Sequence, residues 1–365
     1  MLITAAMIVK NEEPFLDGCL GSIAGLADEV VVVDTGSTDR SKEIARRHRA
    51  KVADFAWCDD FAEARNAALD LAGGDWILYI DADERVRPGS SDQVRAQLKQ
   101  STAAGEYVLL HPRIHSTAYR VLRLFRNHPS IRFEGVIHET IWPSLDRYRE
   151  RTQRGIGTSA LVLDHFGYEA NQERKHVRNL PLLQRAVQDN PLRIYAWSHL
   201  ADTYLALGNE EMAEQTWQRA IGIIRESASA LSDAHLPFLG LIQHQLAKQV
   251  ESHRLLNEAR ERFPENLQFV WLEGQSLVRQ EQFQRAIPLF EKLTVFRSVE
   301  APGDTQAYDR KLFDVQAFSA LALCHFRLRD FGESRRYYRM LCELEPESLE
   351  YRAKSALCSR LEFSL

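Results

Sequence analysis

The sequence predicts an α/β domain over residues 1–170 followed by an all-α domain of helical repeats over residues 171–365. Three observations carry this. Short apolar runs alternate with amphipathic segments up to about residue 110, the pattern of parallel-sheet α/β units. The apolar run WILYI (76–80) drives straight into Asp81-Ala82-Asp83-Glu84, three acids in four positions. Beyond residue 168 the chain turns almost wholly helical and repeats itself.

Taken in order, ITAAMIV (3–9) is a first strand, and PFLDGCLGSIAGL (14–26) is a helix with proline near its start. EVVVVD (29–34) is β-branched and apolar on both faces, hence central and buried. TGST then turns the chain into a helix that runs to about residue 48, and a short strand follows at KVADF (51–55). In DFAEARNAALDLA (60–72) Asp60 is placed to cap the helix, with Glu63 three residues on, and Phe61, Ala64, Ala68 and Leu71 share one face. Gly73 and Gly74 stop this helix before strand 76–80. YVLLH, VLRLFR, IRFEGVIHE and SALVLDH alternate with period 2 and extend the sheet in mixed or antiparallel fashion.

In WSHLADTYLALGNEEMAEQTWQRAI, the positions Trp197, Leu200, Ala201, Tyr204, Gly208, Ala213, Trp217 and Ala220 have tetratricopeptide offsets. Weaker copies follow, and their small residues at 213, 252, 286 and 334 are spaced 39, 34 and 48 apart. One interval is therefore standard and two carry insertions, the longest being the polar SVEAPGDTQAYD (298–309). Such helix pairs stack into a concave arm suited to a peptide or protein.

Bulk properties narrow the function classes. A net charge of −5 leaves no basic footprint for nucleic acid. Five scattered cysteines without a CxxC spacing suggest neither a disulfide framework nor a zinc site. No run approaches the roughly 20 apolar residues of a membrane span. The N-terminal MLITAAMIVKNEE lacks the basic start of a signal peptide, so a cytoplasmic location is expected.

The chemistry is expected at the carboxyl end of strand 76–80, where open α/β sheets bind ligands. Asp81 and Asp83, two residues apart, can converge on one point, and a hard divalent cation relieves their repulsion. Asp34, which ends another strand, is a second carboxylate at the same edge. On period-2 alternation, Arg132, Glu134 and His138 face one side of IRFEGVIHE. His138 then suits a third metal ligand, and Glu139 or Glu134 suits a catalytic base. Arg123, Arg126 and His165 are further candidates for the cleft.

The motifs AMIVKNEE, DEVVVVDTGSTDRSKEIA and FAWCDDFAEARNAALDLAGGDWILYIDADERV, in this order, resemble the family 2 glycosyltransferases with a GT-A (Rossmann-like) fold. More narrowly they resemble the bacterial branch with C-terminal tetratricopeptide repeats, which includes S-glycosyltransferases of bacteriocin peptides. The resemblance implies inverting transfer from a nucleotide sugar, a UDP-sugar foremost, with Mn²⁺ or Mg²⁺ as cofactor and a peptide or protein as acceptor, and it leaves a homodimer open. It places Val9, Lys10, Asn11, Glu12 and Glu13 beside the nucleobase and Asp34 with Thr35 at its pyrimidine edge. Many relatives carry an aspartate where this chain has Thr35. It assigns Asp81 to ribose or metal and Asp83 to metal, with Arg65 and Asn66 near the diphosphate; Glu84 has no assignment.

Overall fold

A computed structural model describes residues 1–112, 116–167, 172–303 and 305–362. The expected domain boundary at 170–171 lies outside the described residues. The first part has eight strands, β1 (Ile3–Val9), β2 (Glu29–Asp34), β3 (Lys51–Asp54), β4 (Trp76–Tyr79), β5 (Glu84–Val86), β6 (Gly105–His111), β7 (Tyr119–Arg126) and β8 (Ile156–His165). Its helices are α1 (Glu13–Ile23), α2 (Ser41–Arg47), α3 (Phe61–Leu71), α4 (Ser91–Gln100) and α5 (Trp142–Thr152).

The strands form one mixed sheet in the order β3-β2-β1-β4-β7-β6-β8-β5. β1 pairs in parallel with β2 and β4, whereas β7 runs antiparallel to β4 and β6, and β5 antiparallel to β8. This topology brings the ends of β1, β2, β4, β6 and β8 and the start of β7 to a single edge. β1 and β2 are buried because both faces of the sheet are covered. Leu16, Leu20, Ile44, Val94 and Leu98 from α1, α2 and α4 pack on one face. Ala62, Ala68, Leu69, Leu145 and Tyr148 from α3 and α5 pack on the other.

α3 begins as its sequence dictates, with the Asp60 carboxylate accepting the Glu63 N–H at 3.1 Å. Its buried positions are Ala62, Ala64, Ala68 and Leu69, while Leu71 is 42% exposed, so the apolar stripe is rotated from the expected one. A larger correction concerns IRFEGVIHE, which forms no strand. Gly135 and His138 have φ of 102° and 51°, and these left-handed residues turn the chain out of extended geometry. Val136 and Ile137 are thereby buried under the second domain.

That domain comprises α6 (Gln172–Asp189), α7 (Ile194–Ala206), α8 (Glu210–Glu226), α9 (His235–Ala247), α10 (His253–Arg262), α11 (Leu267–Arg279), α12 (Phe283–Thr294), α13 (Val315–Arg327), α14 (Phe331–Leu344) and α15 (Leu349–Glu362). Four antiparallel pairs, from α7/α8 to α13/α14, stack in sequence. Small residues set their spacing: a Cβ at Gly240 would lie 2.5 Å from Trp217 Nε1, so the indole requires hydrogen there.

The arm touches the sheet domain at two places. Near its start, Leu182, Leu183, Ala186 and Val187 of α6 and Ala196 and Leu200 of α7 cover Val136 and Ile137. Further along, the insertion between α12 and α13 returns to the β6–β7 connection. There the Thr117 N–H donates to Tyr308 O at 2.7 Å, Tyr308 N–H donates to Thr117 Oγ1 at 2.9 Å, and Ala118 N–H donates to Glu300 O at 3.1 Å. Tyr308 is only 4% exposed, so the polar insertion 298–309 carries a buried anchor. Among the described residues no helix is long and apolar enough to cross a membrane.

Candidate active site

The edge formed by these strand ends gathers an unusual density of charge. β4 delivers Asp81, whose two oxygens are both engaged: Oδ1 accepts from Arg65 Nη2 at 2.9 Å and Oδ2 from Arg123 Nη2 at 3.3 Å. Burial alone would raise this carboxyl, but Arg65 and Arg123 outweigh burial and hold it well below the usual range. Arg65 also bonds Glu139. Arg123 bonds Glu84 at 2.5 Å, a carboxylate 2% exposed. Both guanidinium groups lie over the Tyr79 ring, at 5.2 and 4.1 Å from its centroid. Glu84 also closes the acidic turn, since its Oε2 accepts the Asp81 N–H at 3.0 Å and its own N–H donates to Asp81 O at 3.0 Å. The otherwise unassigned acid is therefore a strut. Its three-residue offset from Asp81 is the signal that reveals it.

Asp83 stands apart from this network. Its Oδ2 lies 3.1 Å from Nε2 of His165, the last residue of β8. The hydrogen bond to Asp83 outweighs burial and raises the His165 pKa. A Cβ at Gly167 would meet His165 Nε2 at 2.7 Å and Asp83 Oδ2 at 2.9 Å, so glycine keeps a space open beside this pair. Glu12, on the loop after β1, faces the same region. Burial, then Asp83 and Asp81, push its carboxyl up to about 7.

His138, the expected third metal ligand, lies elsewhere. With no strand to carry it, its ring packs 4.2 Å from His199 and 5.3 Å from Tyr195, both on α7, and its carbonyl accepts from Arg193. The histidine that accompanies Asp83 is His165. Glu134 and Glu139 also separate: Glu134 pairs with Arg147 and is 42% exposed, whereas Glu139 is 11% exposed and shares Arg65 with Asp81.

At the end of β2, Asp34 is 1% exposed. Its Oδ1 caps the following turn, accepting from Gly36 N–H at 3.0 Å and Ser37 N–H at 2.8 Å. Its buried Oδ2 has no partner, an orphaned acceptor that suits a ligand donor. Thr35 is spent differently, with N–H and hydroxyl both donating to Val9 O, at 2.9 and 3.1 Å. Glu13 is also occupied, accepting from Arg40 Nε at 2.8 Å. Asn11 takes φ 58° and accepts from Thr38 N–H at 2.8 Å, which ties the β1 loop to the β2 loop. Lys10 is exposed and Val9 buried.

Asn66 bonds the Phe133 backbone from both sides, at 3.0 and 2.9 Å, so its amide fixes the segment that carries Glu139 and keeps one N–H uncommitted. Arg126 is at the opposite edge, over the Trp76 ring at 4.2 Å where β4 begins.

These residues suit a divalent cation in one respect: a carboxylate and an imidazole converge beside a space that glycine leaves open. Among the described residues no three potential ligands are assembled into a group. Asp83 and His165 would therefore hold a metal only in part, leaving most of its coordination sphere to substrate phosphates and water.

Residues 4–158 match the model described as Glycosyl transferase family 2, and residues 194–227 and 251–304 match tetratricopeptide repeat models. A TPR repeat-containing protein of Synechococcus elongatus is 35% identical over 58% of this chain and 55% of its own length. The SPbeta prophage-derived glycosyltransferase SunS of Bacillus subtilis is 27% identical over 38% of this chain and 34% of its own. The chain thus spans about half or less of the length of these relatives. A solved structure, Staphylococcus aureus TarS 1–349, is 14% identical with a TM-score of 0.41, covering 72% of this chain and 91% of that one.

Proposed function

Because residues 4–158 match a family 2 glycosyl transferase model and are followed by matches to tetratricopeptide repeats, we propose that the protein transfers a sugar from a nucleoside-diphosphate sugar, a UDP-sugar foremost, to a peptide or protein acceptor held against the arm. The observation that carries this is the convergence of Asp83 with His165, and of Glu139 with Arg65 and Asp81, at one sheet edge.

In this reading the unpartnered Oδ2 of Asp34 accepts a donor group of the base. Asp83 and His165 hold Mn²⁺ or Mg²⁺, which when bound screens the charge on the departing diphosphate. Glu139 faces the acceptor and takes its proton as that atom attacks the anomeric carbon opposite the leaving group, giving inversion. Arg65 positions Glu139 against Asp81. A Glu–Arg–Asp chain so buried resists rotation, and the base is held ready.

The test is thermal unfolding and hydrolysis with UDP-sugars and Mn²⁺. Binding must raise the Tm by linkage, and D83A should abolish both the metal-dependent shift and the hydrolysis. A wild-type chain that gains no stability from any nucleotide sugar with Mn²⁺ would sink the proposal.

A further inference from the structure

Where the arm meets the sheet edge, a group of polar side chains has no hydrogen bond or ion pair among the described residues. Tyr195, His199 and Asp202 stand at i, i+4 and i+7 of α7, hence on one helix face, while Trp197, Leu200, Ala201 and Tyr204 pack within the domain. His138, next to Glu139 in the chain, packs against this face, and Tyr195 and His199 are themselves 4.3 Å apart. Asp233, just before α9, is in electrostatic range of Tyr195, as are Arg193 and Tyr119.

Among the described residues, no side-chain hydrogen bond or ion pair satisfies Asp202 or Asp233. Asp202 is exposed to solvent on this face, and the protein around it pushes its carboxyl up to about 6. Arg193, the cation in range of Asp233 among the described residues, bonds the His138 carbonyl. The imidazoles of His138 and His199 supply no charge, since burial first and then neighbouring groups push them down to about 3 and about 4. What remains is a neutral aromatic wall flanked by two carboxylates.

We infer that this face of α7 is an acceptor subsite that receives a lysine or arginine side chain of the acceptor polypeptide, close to the residue that is modified. This rests on the glycosyltransferase reading above. Charge complementarity requires a cation, and the rings of Tyr195, His138 and His199 offer π-faces and edges against which its stem and head can pack. The subsite adjoins Glu139 through His138, so a side chain seated here places neighbouring acceptor atoms at the sheet edge. The arm is anchored to the sheet domain both before and after this face, at Val136–Ile137 and at Thr117–Tyr308, which suits an extended segment better than a folded surface.

The experiment uses the full chain and two fluorescein-labelled peptides, Gly-Ser-Lys-Lys-Ser-Gly and its glutamate counterpart, read by fluorescence polarisation. Wild type should bind the lysine peptide about tenfold more tightly than the glutamate one. The D202N/D233N variant should lose that preference, while E347Q, at an exposed acid remote from the groove, should keep it. D202K should reverse the preference, a gain that misfolding cannot produce. Equal binding of both peptides by wild type, or an unchanged preference in D202N/D233N, overturns the subsite. UDP-glucose hydrolysis by wild type with Mn²⁺ is measured in parallel: its presence alongside equal peptide binding rejects the subsite and keeps the enzyme, and its absence alongside the lysine preference does the reverse.

Discussion

The sheet edge and the α7 face both crowd ionisable groups into partly buried space, but they satisfy them in opposite ways. At the edge, Arg65 and Arg123 are shared among Asp81, Glu84 and Glu139, so the buried charges there are paired. On α7, the side chains of Asp202, His199 and Tyr195 have no hydrogen bond or ion pair among the described residues, and burial raises the carboxyl of Asp202 and lowers the imidazole of His199. The difference separates scaffold from receptor. A paired network spends its electrostatics on holding geometry, whereas unpaired groups in a cleft keep theirs for a ligand. Within the edge itself, Asp81 falls on the scaffold side of this division.

The strongest way to break the comparison is through the two glutamates. E139Q should lower kcat by about a hundredfold or more if Glu139 is the base, because that range is the usual worth of a positioned proton acceptor. E134Q, which removes only an exposed pair with Arg147, should stay within about twofold. Steady-state transfer kinetics separate the two, and equal losses would dismiss the assignment.

Next in size, R123M should destabilise the fold by about 3 kcal/mol, since it strands the buried Glu84 without its partner. Denaturant unfolding measures this; a loss below about 1 kcal/mol would mean that the network is not a scaffold. G167A should leave unfolding in the absence of metal nearly unchanged and weaken Mn²⁺ binding, because its methyl occupies the space beside Asp83 and His165. Calorimetric titration of Mn²⁺ in the presence of UDP reads the effect, and unaltered affinity would move the metal elsewhere.

The smallest effect is a pH dependence. His138 and His199 have folded pKa values depressed to about 3 and about 4 from 6.5. Below 6.5 the unfolded chain binds protons that the folded one refuses, so the stability these two contribute is complete above 6.5 and declines as pH falls toward 4. Asp202, raised to about 6, acts in the opposite sense over part of that window. H138Q and H199Q should therefore flatten the acid side of the Tm profile relative to wild type, and an unchanged slope would show the imidazoles to be better solvated than this packing implies.

Much of the sheet was legible because local pattern and final environment coincide. EVVVVD is apolar on both faces and ends buried with Asp34 at the edge, and Asp60 caps α3 as its spacing requires. The segment 131–139 misled for a physical reason. Its period-2 alternation is genuine, but Gly135 and His138 take left-handed backbone, and the apolar residues serve a domain interface instead of a sheet. With the strand went the geometry that made His138 a metal ligand. Thr35, Glu13 and Asn66 illustrate a second limit. Each is held by a neighbour that no spacing rule names, Val9, Arg40 and Phe133. Conversely, the partnership of Asp83 with His165 spans 82 residues and becomes visible only once β5 and β8 pair.

The returning insertion at Tyr308 bears on mechanics. A stack of helix pairs in contact only with its neighbours is a spring whose small hinge motions add along its length. Clamped at both the α6–α7 end and Tyr308, the portion between behaves instead as a strut, and the distance from α7 to the sheet edge is set by two supports. A substitution that loosens Tyr308 from Thr117, remote in sequence from either, is then felt as slack at Glu139.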